Sequence, residues 1–551
     1  MDTASYLITI PVEVVQHIIE YTHPSGHWPL AQTCSYLYQN SERVLSLHRN
    51  AYQKYRITSD LDPVTIPHLL WSVFSHGTAH IDAWHVREFE VWDPDEDGAS
   101  EVDLDPHEAS EVGSDPGQGP SAGGIHALSQ SLPGFDIDYF CEKLLKVPDF
   151  FPDEYQHLWG DYVRYELETG REIMTKSFML AHLPRIRAIR CSKSGRERHP
   201  GVELLSECIY WCKSAGTWLP GLETLEKISV SIPPDVLDRR ILNTCPDDFA
   251  ALLCLPNLSE VYFAHLDGDF ELSDMAVDLS TNNRQALLDK TSPVRTIILD
   301  ELENSLSENL IDFLAKMPRA LQNLAIRFGA NNNYQDCSKK ARSLIKALSK
   351  HQGKCLQRLC FDSNSPPVGK PLAKGIGLNY IRAFDDLRAV NLDWPAVESK
   401  LAASGEEMSR QELLDRLLTF FRSCLPAQME VLMLNISDTV RGMLNGELAR
   451  GDRGFGYIDE AVEAAIKSRR YTNLKAVLVK DVQMTLGYIA SGNLDFPKAA
   501  KAAEERGIYI DLKFEVPPPE GVLDGSSVPI LTRSCMVTRE FRPQELMPTF
   551  Y

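Results

Sequence analysis

Short apolar segments of one form, Leu-x-x-Leu-x-Leu, recur along most of the chain and constrain its fold more than any other feature. Their alternation is typical of strands that bury every second side chain. The spacing between successive segments runs from 27 to 45 residues. The segments are IRAIRC (186–191), LEKISV (225–230), LSEVYF (258–263), VRTIIL (294–299), LQNLAI (321–326), LQRLCF (356–361), LRAVNL (387–392), MEVLML (429–434) and LKAVLV (474–479), and IYIDLKFEV (508–516) closes the set.

Helical patterns such as LSENLIDFLAKM and RQELLDRLLTFFRSC fill the intervals, so the chain is predicted to alternate strand and helix. Such alternation is typical of leucine-rich solenoids, in which each repeat buries its apolar side against its neighbours. A doubly wound α/β domain alternates the same elements. The shared template, and the very large open sheet that ten strands would otherwise form, favour the solenoid. The expected fold class is α/β, with an all-helical N-terminal module followed by an irregular leucine-rich-repeat solenoid.

The composition changes abruptly after residue 92. Residues 93–124 contain ten Asp or Glu, no Lys or Arg, and many Gly, Ser and Pro, so they cannot bury enough apolar surface to offset the entropy of ordering. We therefore predict disorder in this acidic segment. The predicted units are a three-helix module (1–57), a helical extension (58–92), a disordered acidic linker (93–132), a helical connector and cap (133–182), the solenoid (183–516) and a C-terminal tail (517–551).

Composition and charge argue against several classes of partner. The formal net charge of −21 disfavours binding to nucleic acid or to an anionic membrane, because both require a clustered basic face. No apolar run is long enough to span a bilayer, and the N-terminal segment lacks the basic region of a signal peptide. The expected location is the cytoplasm, the nucleus or both, where the 12 cysteines would be reduced thiols.

No motif for catalysis or for a cofactor is found. Three histidines lie within residues 76–85, but no cysteine or acidic cluster completes a metal site beside them. Cys208 and Cys212 share a helical face without a second pair nearby, which indicates buried thiols. The glycine-rich stretch 451–459 lacks the Lys-Ser/Thr of a P-loop. We therefore predict no catalytic, cofactor-binding or metal-binding residues, and a protein that is not an enzyme.

The N-terminal module carries a recognisable motif. Three short helices are predicted over residues 9–56, with a break at HPSGHWP (23–29). The run IPVEV (10–14), followed by two isoleucines (18–19) and LAQTCSYLYQNS (30–41), resembles the F-box, whose opening helix carries Leu-Pro-x-Glu-Ile/Val. With SDLDPVTIPHLL and AWHVREFEVW, this region is similar to a large group of F-box domain proteins from filamentous fungi, which continue into an irregular leucine-rich region.

This resemblance implies a non-catalytic adaptor. An F-box binds a Skp-family adaptor protein, which links it to a cullin–RING ubiquitin ligase, and the C-terminal repeats hold a protein substrate without any cofactor. Some residues of the motif would instead close the three-helix core. By position in the motif, the residues expected to contact the adaptor are Ile10, Pro11, Val14, Ile18, Leu30 and Leu37.

Two departures from the motif leave other functions open. Ile10 replaces the usual leucine, and Leu37-Tyr38 stands where many F-boxes carry tryptophan. A leucine-rich scaffold without ligase function, in which the F-box is vestigial, is the alternative hypothesis. An enzyme within a C-terminal α/β domain is a third hypothesis, and it requires a deep pocket with convergent polar groups.

Alternate strand positions give the expected substrate-facing surface. In a solenoid the leucines of the template point inward, and the positions between them face the concave side. This row carries both signs of charge together with polar and aromatic groups, so it describes a protein-binding surface on which most residues are expected simply to be solvated. Threading the template assigns to it Arg190, Ser229, Tyr262, Asp300, Arg327, Asp362, Asp393, Asn435 and Lys480.

Overall fold

The structure, a computed structural model, covers the helical N-terminal region and the repeats. The predicted acidic linker and C-terminal tail lie outside the described residues, as does most of the predicted connector. The described residues are 10–61, 64–92, 173–192, 200–231, 246–266, 290–302, 306–328, 334–363, 378–393, 410–423, 425–436, 456–481 and 496–514.

Two compact units divide the chain. The first combines Met1–Ile232 with Ala250–Leu258, and the second combines Pro233–Phe249 with Ser259–Tyr551. The sequence-based boundaries at residues 57, 92, 132, 182 and 516 stay predictions, because the division into compact units follows packing rather than composition.

The first unit contains eight described helices, a 3₁₀ turn and four parallel strands. Its helices are α1 (Val12–Tyr21), α2 (Pro24–Ala31), α3 (Ser35–Tyr55), α4 (Thr65–Phe74), α5 (Ile81–His85), α6 (Ile173–His182), α7 (Pro200–Ala215) and α8 (Pro220–Thr224), with the 3₁₀ turn at Gly77–His80. Its strands are β1 (Ile57–Ser59), β2 (Glu88–Trp92), β3 (Ala188–Ser192) and β4 (Lys227–Ser231).

The second unit alternates strands with helices, and the residues of a short helix, α9 (Pro246–Leu252), are divided between the two units. Its strands are β5 (Glu260–Ala264), β6 (Thr296–Leu302), β7 (Asn323–Phe328), β8 (Arg358–Ser363), β9 (Ala389–Asp393), β10 (Val431–Ile436), β11 (Ala476–Asp481) and β12 (Tyr509–Phe514). Its helices are α10 (Glu308–Lys316), α11 (Tyr334–His351), α12 (Leu378–Ile381), α13 (Arg410–Ser423), α14 (Gly456–Lys467) and α15 (Pro497–Arg506).

Within each unit the strands are parallel and follow one another in chain order. All ten strands predicted from the apolar template are confirmed, and nine of them begin two residues after the first residue of their segment. A doubly wound sheet reverses its strand order at a switch point, and neither unit does so. The sheet is not closed, since β12 pairs with β11 as the last strand in the order. The prediction of an α/β chain with a helical N-terminal region is therefore confirmed.

One repeat shows why the template forms a strand packed on a helix. Helix α10 begins where the Ser307 hydroxyl accepts a hydrogen bond from the Leu310 amide at 3.1 Å, an N-cap interaction that stabilises its first turn. It buries one apolar face that includes Phe313. Leu324 and Ile326 on the following strand are buried on a shared face, because alternate side chains of a strand point the same way.

A repeated backbone contact sets the register of the strands. The carbonyl of the residue just before a strand accepts two N–H groups from the next strand's start, one from the residue before that strand and one from its first residue. Between β6 and β7, for example, the Arg295 carbonyl accepts from Gln322 at 2.8 Å and from Asn323 at 2.9 Å. Each of these contacts therefore determines which residue of the next strand pairs with the first residue of the strand before it. The acceptors are Arg56, Arg87, Arg187, Ser259, Arg295, Gln322, Gln357, Arg388 and Glu430.

The prediction that residues 58–92 are a helical extension is only partly right, because β2 lies within them. The segment VREFEV (86–91) matches the apolar template, with Val86, Phe89 and Val91 buried. It pairs in register with β3. The stretch 23–29, predicted as a break, forms most of α2, because Pro24 occupies the first helical position, where its missing N–H costs nothing.

Gly77 marks a close approach between the 3₁₀ turn and α1. Its φ is +61°, and a Cβ atom at this position would lie 2.0 Å from the Glu20 carbonyl oxygen. Gly216 also has a positive φ, of +69°, but a Cβ there would meet nothing within 4 Å. Both glycines lie in the first unit and both have a positive φ, but only Gly77 has a close neighbour. A comparison of the two alanine variants therefore distinguishes the cost of backbone strain from the cost of a steric collision.

We predict that Gly77→Ala destabilises the first unit by about 2–4 kcal/mol, from left-handed strain plus displacement of α1. Gly216→Ala, which adds only the strain, should cost about 1 kcal/mol. Seven of the eight tryptophans lie in the first unit, so urea unfolding followed by tryptophan fluorescence reports on it. Equal destabilisation by the two variants would contradict the assigned contact.

Candidate docking surfaces

The exposed large apolar residues are concentrated at the N-terminal end of the described chain. Every one that the described residues contain lies between residues 12 and 71. Contiguous exposed apolar surface on a folded protein marks an interaction site. The set is Val12, Val14, Ile18, Tyr21, Trp28, Tyr38, Leu47, Tyr52, Ile57, Leu61, Val64 and Trp71.

Helix α1 is apolar on two adjacent sides. Val15 and Ile19 are buried, and they face the core that α3 contributes to. Val14 and Ile18, one turn apart, are 45% and 47% exposed, and Tyr21 continues the same side one turn later. A helix that only closed a core would carry polar residues on that outer side. The exposed face of α1 is therefore a candidate docking surface.

The six residues predicted to bind the adaptor differ in their accessibility. Pro11, Val14 and Ile18 are exposed, whereas Ile10 and Leu30 are half-buried. Leu37 is only 3% exposed and belongs to the buried side of α3. Its assignment as an adaptor contact is corrected accordingly: Leu37 has its position in the motif because it fills the helical core.

Helix α3 explains that burial. It is the longest described helix of the first unit, and its apolar side packs against α1, α2 and α5. Leu37, Val44 and Leu45 lie on this side together with Tyr55. The sequence pattern placed Leu37 on an apolar stripe without indicating whether a neighbour in the same chain or a partner covers it.

Several residues assigned to the substrate-facing row occupy paired positions on neighbouring strands. Arg190 lies beside Ser229 in the pairing of β3 with β4. Three register pairs join five positions of this row in the second unit: Arg327 with Asp362, Asp393 with Asn435, and Asn435 with Lys480. The template thus identified neighbouring positions that are separated by tens of residues in sequence.

Tyr262, Asp300 and Arg327 form a polar cluster on this face. The Tyr262 hydroxyl donates to Asp300 Oδ2 at 2.7 Å, and Arg327 Nε donates to Asp300 Oδ1. The side chains of Arg327 and Asp300 are 12% and 9% exposed. A nearly buried ion pair with a third hydrogen bond fixes the orientation of all three side chains.

Arg190 is held by two acidic residues that sequence reasoning missed. Its guanidinium contacts Glu90 at 2.6 Å and Glu88 at 2.8 Å. Both glutamates belong to β2, which was not recognised as a strand. The signal was present in the alternation of glutamate with Phe89 and Val91, which is a strand pattern rather than a helical one.

An apolar strip lies on the same face as these polar residues. Ile298, Ala325 and Cys360 form a buried cluster against which Tyr262 packs. Met433 and Leu478 form a second cluster with the partly buried Val431 and Tyr509. A shallow depression between β8 and β10 connects the two regions. Its lining includes Arg358, Cys360, Ala389, Val431 and Met433.

The cysteine and histidine candidates have structural surroundings. Cys208 and Cys212 are buried free thiols, as predicted, and burial raises the pKa of each. His80 Nδ1 bonds the Ser72 carbonyl at 2.8 Å, while His85 bonds another histidine, so these rings do not converge. Within the described residues, no three His, Cys, Asp or Glu side chains form a metal-binding group. None of the described helices has the length and apolar character needed to cross a bilayer.

We predict that Arg327→Ala destabilises the second unit by about 3–5 kcal/mol, because it removes the cation from the buried Asp300 carboxylate. Tyr262→Phe should cost about 1 kcal/mol. Lys316→Ala, which breaks an exposed pair with Asp312, should cost less than about 1 kcal/mol. Chemical denaturation of each variant measures these differences. Asp300→Asn in the Arg327→Ala background should recover part of the loss, and no recovery would reject the charge-based explanation.

Comparison with known proteins adds no assignment to this geometry. No protein-family model matches the chain, and no curated protein matches it at a significant level.

Proposed function

We propose that this protein is the substrate-recognition subunit of an SCF-type (Skp–cullin–F-box) ubiquitin ligase. In this proposal the N-terminal helices bind a Skp-family adaptor and the repeats bind a protein substrate. The subunit supplies binding surfaces rather than catalytic groups and uses no cofactor. Its place of action is the cytoplasm, the nucleus or both.

The observation that carries the proposal is the exposed apolar face of α1. Val14 and Ile18 occupy positions of the F-box-like motif, and both are about half exposed. Helix-to-helix docking through a few aliphatic or aromatic anchors with a polar rim is a common interface type. Pro11 and Trp28 extend the accessible surface at the start of α1 and on α2.

The regular order of the strands supports an irregular leucine-rich solenoid for the repeats. Strands that follow one another in chain order, with helices in the intervals, fit a chain built by stacking similar units. The adjacent helices α13 and α14 pack together, as do α14 and α15. Asp459 on α14 also caps α15, since its carboxylate accepts from the Lys498 and Ala499 amides.

The proposed substrate surface is the face that bears Tyr262, Asp300 and Arg327. Their mutual hydrogen bonds present an ordered polar edge beside the apolar strip. The shallow depression near Cys360 and Met433 lies on this face and has room for about one water-sized group. Polar groups of fixed orientation beside an apolar recess are typical of specific protein recognition.

Binding to the Skp-family adaptor tests the proposal directly. We predict that the double variant Val14→Asp/Ile18→Asp weakens adaptor binding by about 30-fold or more, because charging two central anchors costs about 2 kcal/mol or more. Val64→Asp is the matched control. Val64 is 42% exposed, a fraction similar to the 45% of Val14, but it lies just before α4 and outside the F-box-like motif. Interferometry with purified full-length chains and adaptor measures each Kd.

Three outcomes are distinguishable. Binding by the wild type and by Val64→Asp, with loss in the double variant, supports the assignment of the surface. Absence of wild-type binding overturns the proposal. Adaptor binding without recruitment of a cullin to the complex would favour the alternative, a leucine-rich scaffold without ligase function, to which the departure at Ile10 points.

A further inference from the structure

Three histidine rings form a continuous hydrogen-bonded chain through the N-terminal helices. His27 Nε2 lies 2.9 Å from the Ile19 carbonyl oxygen on α1. His27 Nδ1 lies 2.8 Å from His48 Nε2, and His48 Nδ1 lies 2.7 Å from His85 Nε2. Successive rings meet edge to face, with centroids 5.0 Å apart. The chain therefore ties α1 to α2, α3 and α5.

The positions of the hydrogens in this chain follow from its first acceptor. A carbonyl only accepts, so His27 Nε2 carries a hydrogen and, in the neutral ring, His27 Nδ1 accepts. His48 Nε2 must then donate and His48 Nδ1 accept, which makes His85 Nε2 a donor. His85 Nδ1 is left with a free lone pair, and this atom is buried without a hydrogen-bond partner among the described residues.

The surroundings of the chain favour the neutral rings. Burial lowers the pKa of all three histidines, to about 4 for His48 and for His85. The cations of Arg87 and Arg185 lower the pKa of His85 further, whereas Asp82 raises it. Asp82 is itself paired with His68 at 2.7 Å.

The remaining titratable or charged groups around the histidine chain lie on or next to α1, α2 and α3. Glu20 on α1 is paired with Arg43 of α3. His23, just before α2, faces His27 and also contacts the ring of His80. Tyr52 on α3 contacts His85 edge-on, and Arg56 lies over the Tyr52 ring.

Proton uptake conflicts with this geometry in two steps. A first proton on His85 Nδ1 leaves the three hydrogen bonds formed but creates a cation beside two arginines in a desolvated site. A second proton places hydrogens on both nitrogens of one N···N contact, so that contact must break. Because His27 keeps its hydrogen bond to the Ile19 carbonyl, breaking either N···N contact disconnects α1 from α5.

We propose that the chain His27–His48–His85 is an acid-sensitive latch that holds α1 in place and thereby controls the docking face formed by Val14 and Ile18. The regulatory part of this inference rests on the proposed function, whereas the latch itself does not. Since the folded-state pKa values lie below that of a free histidine, the stabilisation is present above pH 6.5 and is lost as pH falls toward 4.

Amide hydrogen exchange of the full-length chain, without adaptor, tests the latch. After correction for the intrinsic effect of pH, opening of the Val12–Tyr21 segment should increase by about 30-fold per titrating histidine between pH 7.5 and pH 5.0. Unchanged protection of this segment in the wild type would overturn the proposal. Adaptor binding at pH 7.5 is measured separately, so failure of the latch and failure of the proposed function are distinguishable.

Three variants assign the response to the chain. His48→Gln retains a donor and an acceptor but cannot take up the proton, so it should remove the pH dependence even if basal exchange rises. Arg185→Gln leaves the hydrogen bonds in place and removes a cation that lowers the pKa of His85, so the folded-state pKa should rise toward that of a free histidine and the increase in opening at pH 5.0 should be smaller than in the wild type. His17→Gln, an exposed histidine on α1, is the matched control. A wild-type pH profile in His48→Gln would reject the latch.

Discussion

The structure depends on a single backbone contact that is repeated at the start of the strands. At nine positions among the described strands, one carbonyl accepts two N–H groups from the start of the next strand, with distances between 2.7 and 3.1 Å. Two hydrogen bonds to one oxygen set the register of a strand at its first residue. This alignment depends on the backbone and not on the side chains farther along the strand. The residue that supplies the carbonyl is polar in each case, which suits its place between the buried template residue and the strand.

Much of this architecture could be predicted because each Leu-x-x-Leu-x-Leu segment of the sequence contains the start of a strand. Residues such as Leu321, Leu324 and Ile326 are buried in the structure at the spacing that the sequence shows. The strand β2 was missed because its template residues, from Val86 to Val91, directly follow a helical stretch, although their alternation with glutamates is a strand pattern. Only the pairing with Arg190 explains those glutamates, and a long-range ion pair leaves no local sequence signal.

The candidate docking surface could be predicted only in part. The motif located α1, but helical periodicity does not distinguish a stripe covered by the same chain from one left open. Val14 and Ile18 are open, whereas Leu37 is enclosed by neighbouring helices. The histidine chain had no sequence signal at all, since its three rings are contributed by helices up to 58 residues apart. Such networks exist only once tertiary packing has brought the helices together.

The position of the carbonyl contact also affects how the repeats can change over evolution. Because each strand is aligned where the chain enters it, residues added after the strand do not alter the pairing of the next one. The segments recur at intervals of 27 to 45 residues, yet the described strands keep their order in each unit. A loop that grows or shrinks at that end changes one edge of the sheet while leaving the pairing of the strands intact. Insertions can therefore reshape that edge with no compensating change elsewhere in the fold.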